Sequence, residues 1–172
     1  MKMESDFELK KIIGTMDPVK LGTMFANCCY HSSLKDSKFR GQAFMRLSMI
    51  SEEWTNQTKR LPPGSDRNRP VIGVLKRMGY EVSDDNFKDE IRRSVIDYLM
   101  EHDPLPPVKD AGYMAEWGRP FSAKRLGKFQ RSLQYFIAEN IHRPLLEKPV
   151  RRWQADLKYS NQKWSYLIRS PD

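Results

Sequence analysis

The chain has 172 residues, of which 39% are hydrophobic, 30% charged and 11% aromatic, with a formal net charge of +8. That length suits one domain or two small lobes sharing a core, and the aromatic content argues against a disordered chain. No run approaches the roughly 18 apolar residues of a membrane span and no apolar stretch follows Met1, so neither a membrane protein nor a secretory leader is expected. The two cysteines are adjacent, Cys28 and Cys29; neighbours rarely bridge, so no disulfide framework arises and a cytoplasmic location is expected.

In chain order, residues 5–13 suit a short helix carrying Phe7, Leu9, Ile12 and Ile13, with Gly14 as its stop. Asp17-Pro18 restarts a helix, an N-cap followed by proline at the first helical position, and Leu21, Met24, Phe25 and Cys28 then recur at helical spacing through about Tyr30. Ser37 is the expected cap of a helix over 38–58, with Phe39, Ala43, Leu47, Ile50 and Trp54 on one side and Met45 and Met49 on another. Residues 60–70 hold the pair Pro62-Pro63 followed by Gly-Ser-Asp, which stop any helix. A short helix over 70–78 follows, and Tyr80-Glu-Val82 is too short to make a sheet. Ser83 or Asp84 is the expected cap of a helix over 85–101, whose stripe is Phe87, Ile91, Val95 and Tyr98. Asp103-Pro-Leu-Pro-Pro107 breaks it, and a brief helix over 109–116 leads to Trp117-Gly118-Arg119-Pro120.

Ser122 then caps a long helix over 123–142. At 100° per residue its Leu126, Phe129, Leu133, Phe136, Ile137 and Ile141 share one arc. Lys124, Lys128, Arg131 and Tyr135 share the opposite arc, with Arg125 at the boundary. Pro149 opens the last helix, about 149–168, with a stripe of Val150, Trp153, Leu157, Trp164, Leu167 and Ile168. Strand signals are nearly absent, so the chain is expected to be all-α, a compact bundle-like array of six to eight helices with no substantial sheet. Residues 1–60 and 70–172 divide at the 61–69 loop into two helical lobes that share one compact domain.

The charge is unevenly placed. Residues 1–118 hold 18 Lys+Arg and 18 Asp+Glu, residues 119–172 hold 12 and 4, so the whole excess lies in the last 54 residues. A row of cations one turn apart neutralises several phosphates at once and releases counterions. This pattern points to a non-enzymatic nucleic-acid-binding protein, DNA or RNA. Its contacts are expected at Lys124, Arg125, Lys128, Arg131, Arg143, Arg151, Arg152 and Lys158, with Tyr135, Tyr159 and Tyr166 offered for stacking on unpaired bases. Weighed against it is an ordinary solvated helix face. Residues 109–116 and 123 onward also fit a helix-turn-helix with Arg125 first to reach base edges. Arg60, Arg67 and Arg69 could clamp a backbone, but a solvated linker is the preferred reading of this loop.

The alternative is a protein-interaction subunit or inhibitor docking on an acidic partner or a nucleoprotein complex, with Met45, Met49 and Trp117 as apolar contacts. Trp117 beside Gly118 also suits a buried wedge. Cys28-Cys29-Tyr30-His31 lacks the second ligand pair of a zinc site, so neither a metal nor a cofactor is expected. Glu101-His102-Asp103 resembles a general-base cluster, but adjacent helical residues point apart. Asp97, Glu101 and Glu116 are the acids an enzyme with a non-local site would have to converge. No phosphate-binding loop, nucleophile elbow or His-Glu-x-x-His occurs.

Overall fold

The computed structural model describes residues 6–60 and 72–169, and among them every regular element is helical, with no strand. Helix α1 (Asp6–Thr15) runs through Gly14 rather than ending there, closed by the Thr15 hydroxyl on the Lys11 carbonyl at 3.1 Å. Helix α2 (Pro18–Ser33) starts where its sequence says: the Asp17 carboxylate accepts from the Val19 and Lys20 N–H groups at 2.9 and 3.2 Å. Helix α3 (Arg40–Arg60) starts later than Ser37 suggests. The Ser37 hydroxyl accepts from the Phe39 N–H and lies 3.2 Å from His31 Nδ1, so it holds the turn before the helix.

Helix α4 (Val74–Arg77) is a single turn. Asp84 likewise caps a turn and not a helix, accepting from the Asn86 N–H at 2.8 Å, and α5 (Asp89–Glu101) begins after it. Helix α6 (Ala111–Ala115) is capped by Asp110, and α7 (Ala123–Asn140) by Ser122, whose hydroxyl accepts from the Arg125 N–H at 3.2 Å. A 3-10 turn over Pro144–Leu146 leads to α8 (Glu147–Trp164), which ends before the short α9 (Tyr166–Arg169). Pro149 falls third in α8, where the missing N–H had no intrahelical partner to lose. Among the described residues nine α-helices occur where six to eight helices were expected, because the tail divides at Ser165; six of them have ten or more residues.

Helix α2 packs on α3, α4 and α5, while α7 packs on α8 and α8 on α5. One core cluster takes Ile13, Phe25, Ile50 and Trp54 from before the 61–71 segment and Val74, Leu99, Trp117, Phe129 and Leu133 from after it. Phe25 sits 4.7 Å from Trp54 and 4.9 Å from Tyr98, ring centre to ring centre. A second cluster of Met100, Leu126, Trp164 and Leu167 ties the end of α5 to α7, α8 and α9. Two backbones touch where α2 meets the end of α4. Gly79 has φ +72°, and a Cβ there would stand 2.1 Å from the Gly22 carbonyl oxygen. No helix among the described residues is long and apolar enough to cross a membrane.

Buried polar groups fasten α8 to the rest. Asp156, buried in α8, accepts from Arg92 Nε at 2.7 Å and from the Tyr80 hydroxyl at 2.6 Å. Arg92 also reaches Asp89 at 2.8 Å and the Phe87 carbonyl, so none of this charge is left uncompensated. Burial, then the neighbouring Asp156, pushes the Tyr80 hydroxyl well above its ordinary pKa.

Candidate nucleic-acid interface

Helices α7 and α8 form an antiparallel hairpin. Gln130 bonds Asn161 at 2.8 Å and the Phe136 ring lies 5.5 Å from Trp153, so numbers rise along one helix as they fall along the other. The eight expected phosphate contacts divide on this hairpin into two groups.

Five are exposed: Lys124, Arg131, Arg143, Arg151 and Lys158. Lys124 and Arg131 stand seven residues apart on α7, and Arg151 and Lys158 seven apart on α8. Each pair is therefore about two turns, roughly 10 Å, apart on one face. Arg143 lies at the tip between them. Arg151 pairs with Glu147 one turn before it; the other four have no carboxylate partner among the described residues.

The other three are structural, which corrects their assignment. Arg125 is 1% exposed. Its guanidinium donates to the carbonyls of Leu99 (3.1 Å), His102 (2.8 Å), Trp117 (3.4 Å) and Gly118 (2.6 Å) and to Asp103 (2.8 Å). All five donors of an arginine are thereby used, and no base edge is within its reach, which removes the helix-turn-helix reading built on it. Lys128 pairs with Glu116 and lies 4.8 Å over the Tyr113 ring and 5.9 Å from the Trp117 ring. Arg152 donates to the Val82 and Asp84 carbonyls and to Asp85, clamping α8 to the segment before α5.

The same folding-back accounts for the charge excess. Carboxylates of residues 1–118 reach the basic tail: Asp85 takes Lys148 and Arg152, Asp97 takes Lys163, Asp103 takes Arg125 and Glu116 takes Lys128. The Lys148 ammonium, more than any other group, lowers the Asp85 pKa. The uneven charge of the sequence is thus partly an attachment between two parts of the fold.

Of the stacking candidates, Tyr135 and Tyr166 are half exposed. Tyr159 is occupied: its hydroxyl donates to Asp97 at 2.8 Å and its ring lies 5.2 Å from the Arg93 guanidinium. Burial, then Asp97, pushes its pKa up to about 12. The expected apolar contacts also change. Met45 is exposed, but Met49, also on α3, is buried, and Trp117, at 1% exposure, is the wedge its place beside Gly118 suggested. Arg60 is exposed with Glu53 3.9 Å away, while Arg67 and Arg69 lie outside the described residues.

Asp97, Glu116 and Asp103 are each engaged by different partners. Asp97 receives Tyr159, Lys163 and the Trp164 indole N–H, Glu116 receives Lys128, and Asp103 receives Arg125. His102 stacks on Tyr98 with ring centres 4.2 Å apart. Burial raises the pKa of both Cys28 and Cys29, and each is a free thiol. Among the described residues no three His, Cys, Asp or Glu side chains come together as a metal site.

One feature had no signal in the sequence. A groove of about 620 Å³ opens between α4, the 80–83 segment, α6, α7 and α8, and Arg131 and Tyr135 of the exposed α7 face line it together with Tyr113, Phe136 and Trp153. The lining residues come from stretches up to 81 positions apart, so only the fold assembles them. Comparison of the chain with family models, curated proteins and solved structures found no match to any of them.

Proposed function

We propose that this is a cytoplasmic, non-enzymatic nucleic-acid-binding protein that grips the phosphate backbone with the outer faces of the α7–α8 hairpin. The observation that carries it is the state of the hairpin once its ion pairs with the rest of the chain are formed. Lys124, Arg131, Arg143 and Lys158 remain exposed without a carboxylate partner among the described residues, against one exposed acid, Glu139, besides the Glu147 that pairs with Arg151. Cations left over after internal pairing are the ones able to release counterions from a phosphate chain. Tyr135, half exposed on the same α7 face as Lys124 and Arg131, adds a ring beside the phosphate contacts. The free, buried Cys28 and Cys29 agree with a reducing compartment.

Fluorescence anisotropy with labelled single- and double-stranded oligonucleotides across a salt series tests this. Four phosphate contacts predict a log–log slope of roughly −3 to −4. Absence of binding at low ionic strength, or binding indifferent to salt, overturns it.

A second reading, docking on an acidic protein, is favoured by one surface. Leu34, Phe39, Phe44 and Met45 are exposed between the end of α2 and the first turns of α3, a stretch that also exposes Lys35, Lys38 and Arg40 against one acid, Asp36. Apolar surface beside an excess of cations suits an acidic amphipathic partner. A nuclease-resistant complex lost on Phe44→Glu, with oligonucleotide binding absent, favours this reading over the first.

A further inference from the structure

The groove beside α7 has a divided chemistry. Two of its three lining cations are already matched: Lys76 pairs with Glu81, and Lys128 with Glu116. Glu81 also accepts from the Val82 and Ser83 N–H groups. Burial opposes its ionisation, but these bonds and Lys76 prevail and hold its pKa down at about 2. Asp110, also in the lining, accepts from the Tyr113 N–H with one oxygen, so its carboxylate keeps a second acceptor. The lining thus offers carboxylate and hydroxyl acceptors, among them Ser132, while Lys76 and Lys128 already have their anions. The one lining cation without a carboxylate partner among the described residues is Arg131, exposed on the face that also carries Lys124.

The walls are aromatic. Tyr135, Phe136 and Trp153 follow one another at ring distances of 6.1 and 5.5 Å, leading from the exposed helix face into the groove. The volume of about 620 Å³ falls within the roughly 300–1,000 Å³ of small-molecule sites. With Lys76 and Lys128 already paired, an anion finds its one unpaired lining cation, among the described residues, at Arg131. A flat, neutral ring bearing amino donors fits the interior, because carboxylates accept from exocyclic amines and aromatic walls stack on π faces. A nucleotide has both parts in the right order, a neutral base tethered to a phosphate.

Resting on the phosphate-binding reading above, we infer that the groove receives an unpaired nucleobase from the strand whose phosphate Arg131 holds. The protein then favours single-stranded over duplex nucleic acid, since a paired base has no free edge or face to give.

The test compares three oligonucleotides of equal length by anisotropy across a salt series: a single strand, the same strand with abasic residues throughout, and the duplex. The single strand is expected to bind roughly tenfold more tightly than the abasic strand, the effect of one stacked base, with a similar salt slope. Tyr135→Ala, which removes a half-exposed ring, and Ser132→Trp, which fills the groove while leaving every cation, are each expected to erase that preference and keep the slope. Thermal melts confirm that the variants fold, and exposed Tyr135 carries the test alone if Ser132→Trp does not. Equal binding of all three oligonucleotides overturns the inference and leaves the phosphate reading standing. A preference that survives both substitutions also overturns it, because the base is then held elsewhere. No salt-sensitive binding to any of them overturns both.

Discussion

Arg125 shows how far a helical wheel can be trusted for one residue. The wheel sets it at the boundary of apolar and basic arcs, and nothing local decides between them. Five acceptors decide it, contributed by Leu99, His102, Asp103, Trp117 and Gly118, none of them on α7. Removing the guanidinium leaves those groups without donors in the interior, so Arg125→Ala is expected to lower stability by about 3–5 kcal/mol in urea unfolding. Arg125→Lys is also expected to destabilise, since an ammonium offers three donors where five are used. Tyr159 was hidden for the same reason: Asp97, which occupies its hydroxyl, lies 62 positions away. Lys124 and Arg131 were legible because their exposure follows from the opposite, apolar arc of the same helix. Glu81 gives the acid behaviour. Its folded pKa of about 2 lies below its ordinary 4.5. Its stabilisation is therefore complete above about pH 4.5 and is lost as pH falls toward 2. Urea midpoints measured across that window are expected to fall with pH, and Glu81→Gln to flatten the fall; an unchanged profile in the variant counts against the Lys76–Glu81 pairing.

Helices were read best where their ends are fixed by chemistry within three residues. Asp17 and Ser122 cap α2 and α7 as expected, because the accepting oxygen and the donating N–H belong to one short stretch. Ser37 and Asp84 mark the limit, since the same side-chain bond also builds a free-standing turn and its local pattern does not distinguish the two. Ser122 makes two such bonds, accepting from the Arg125 N–H and donating to the Arg119 carbonyl. Ser122→Ala is expected to cost about 1 kcal/mol, read as a lower melting temperature. The crossing of α2 over the end of α4 was not legible, because it depends on two glycines 57 positions apart with no shared periodicity. Gly79→Ala combines a left-handed φ of +72° with a Cβ 2.1 Å from the Gly22 carbonyl oxygen. A strain-free exchange of glycine for alanine stabilises by up to about 1 kcal/mol; here strain and overlap reverse the sign, with a loss expected to exceed that size, and a melting temperature equal to the wild type counts against the close crossing.

For the whole molecule the decisive question is what the excess of +8 does. The sequence located that excess correctly in the last 54 residues but left open whether it faces solvent or the rest of the chain. The fold divides it. Lys128, Lys148, Arg152 and Lys163 are bound to Glu116, Asp85 and Asp97 across the helix packing. Lys124, Arg131, Arg143 and Lys158 have no carboxylate partner among the described residues. Two quadruple variants to glutamine therefore each remove four positive charges, with different consequences. If net charge alone governs nucleic-acid affinity, they weaken it alike. If the hairpin surface holds the phosphates, neutralising Lys124, Arg131, Arg143 and Lys158 is expected to reduce the salt slope by roughly 3 to 4 and leave the urea midpoint nearly unchanged, since exposed cations contribute little to folding. Neutralising Lys128, Lys148, Arg152 and Lys163 is expected to do the reverse. The slope changes little, because those cations already lie against carboxylates, while the midpoint falls as α8 loses its hold on Asp85 and Asp97. Anisotropy titrations at several salt concentrations, paired with urea unfolding of the same preparations, separate the two; equal loss of slope in both variants rejects the hairpin surface as the phosphate-binding face.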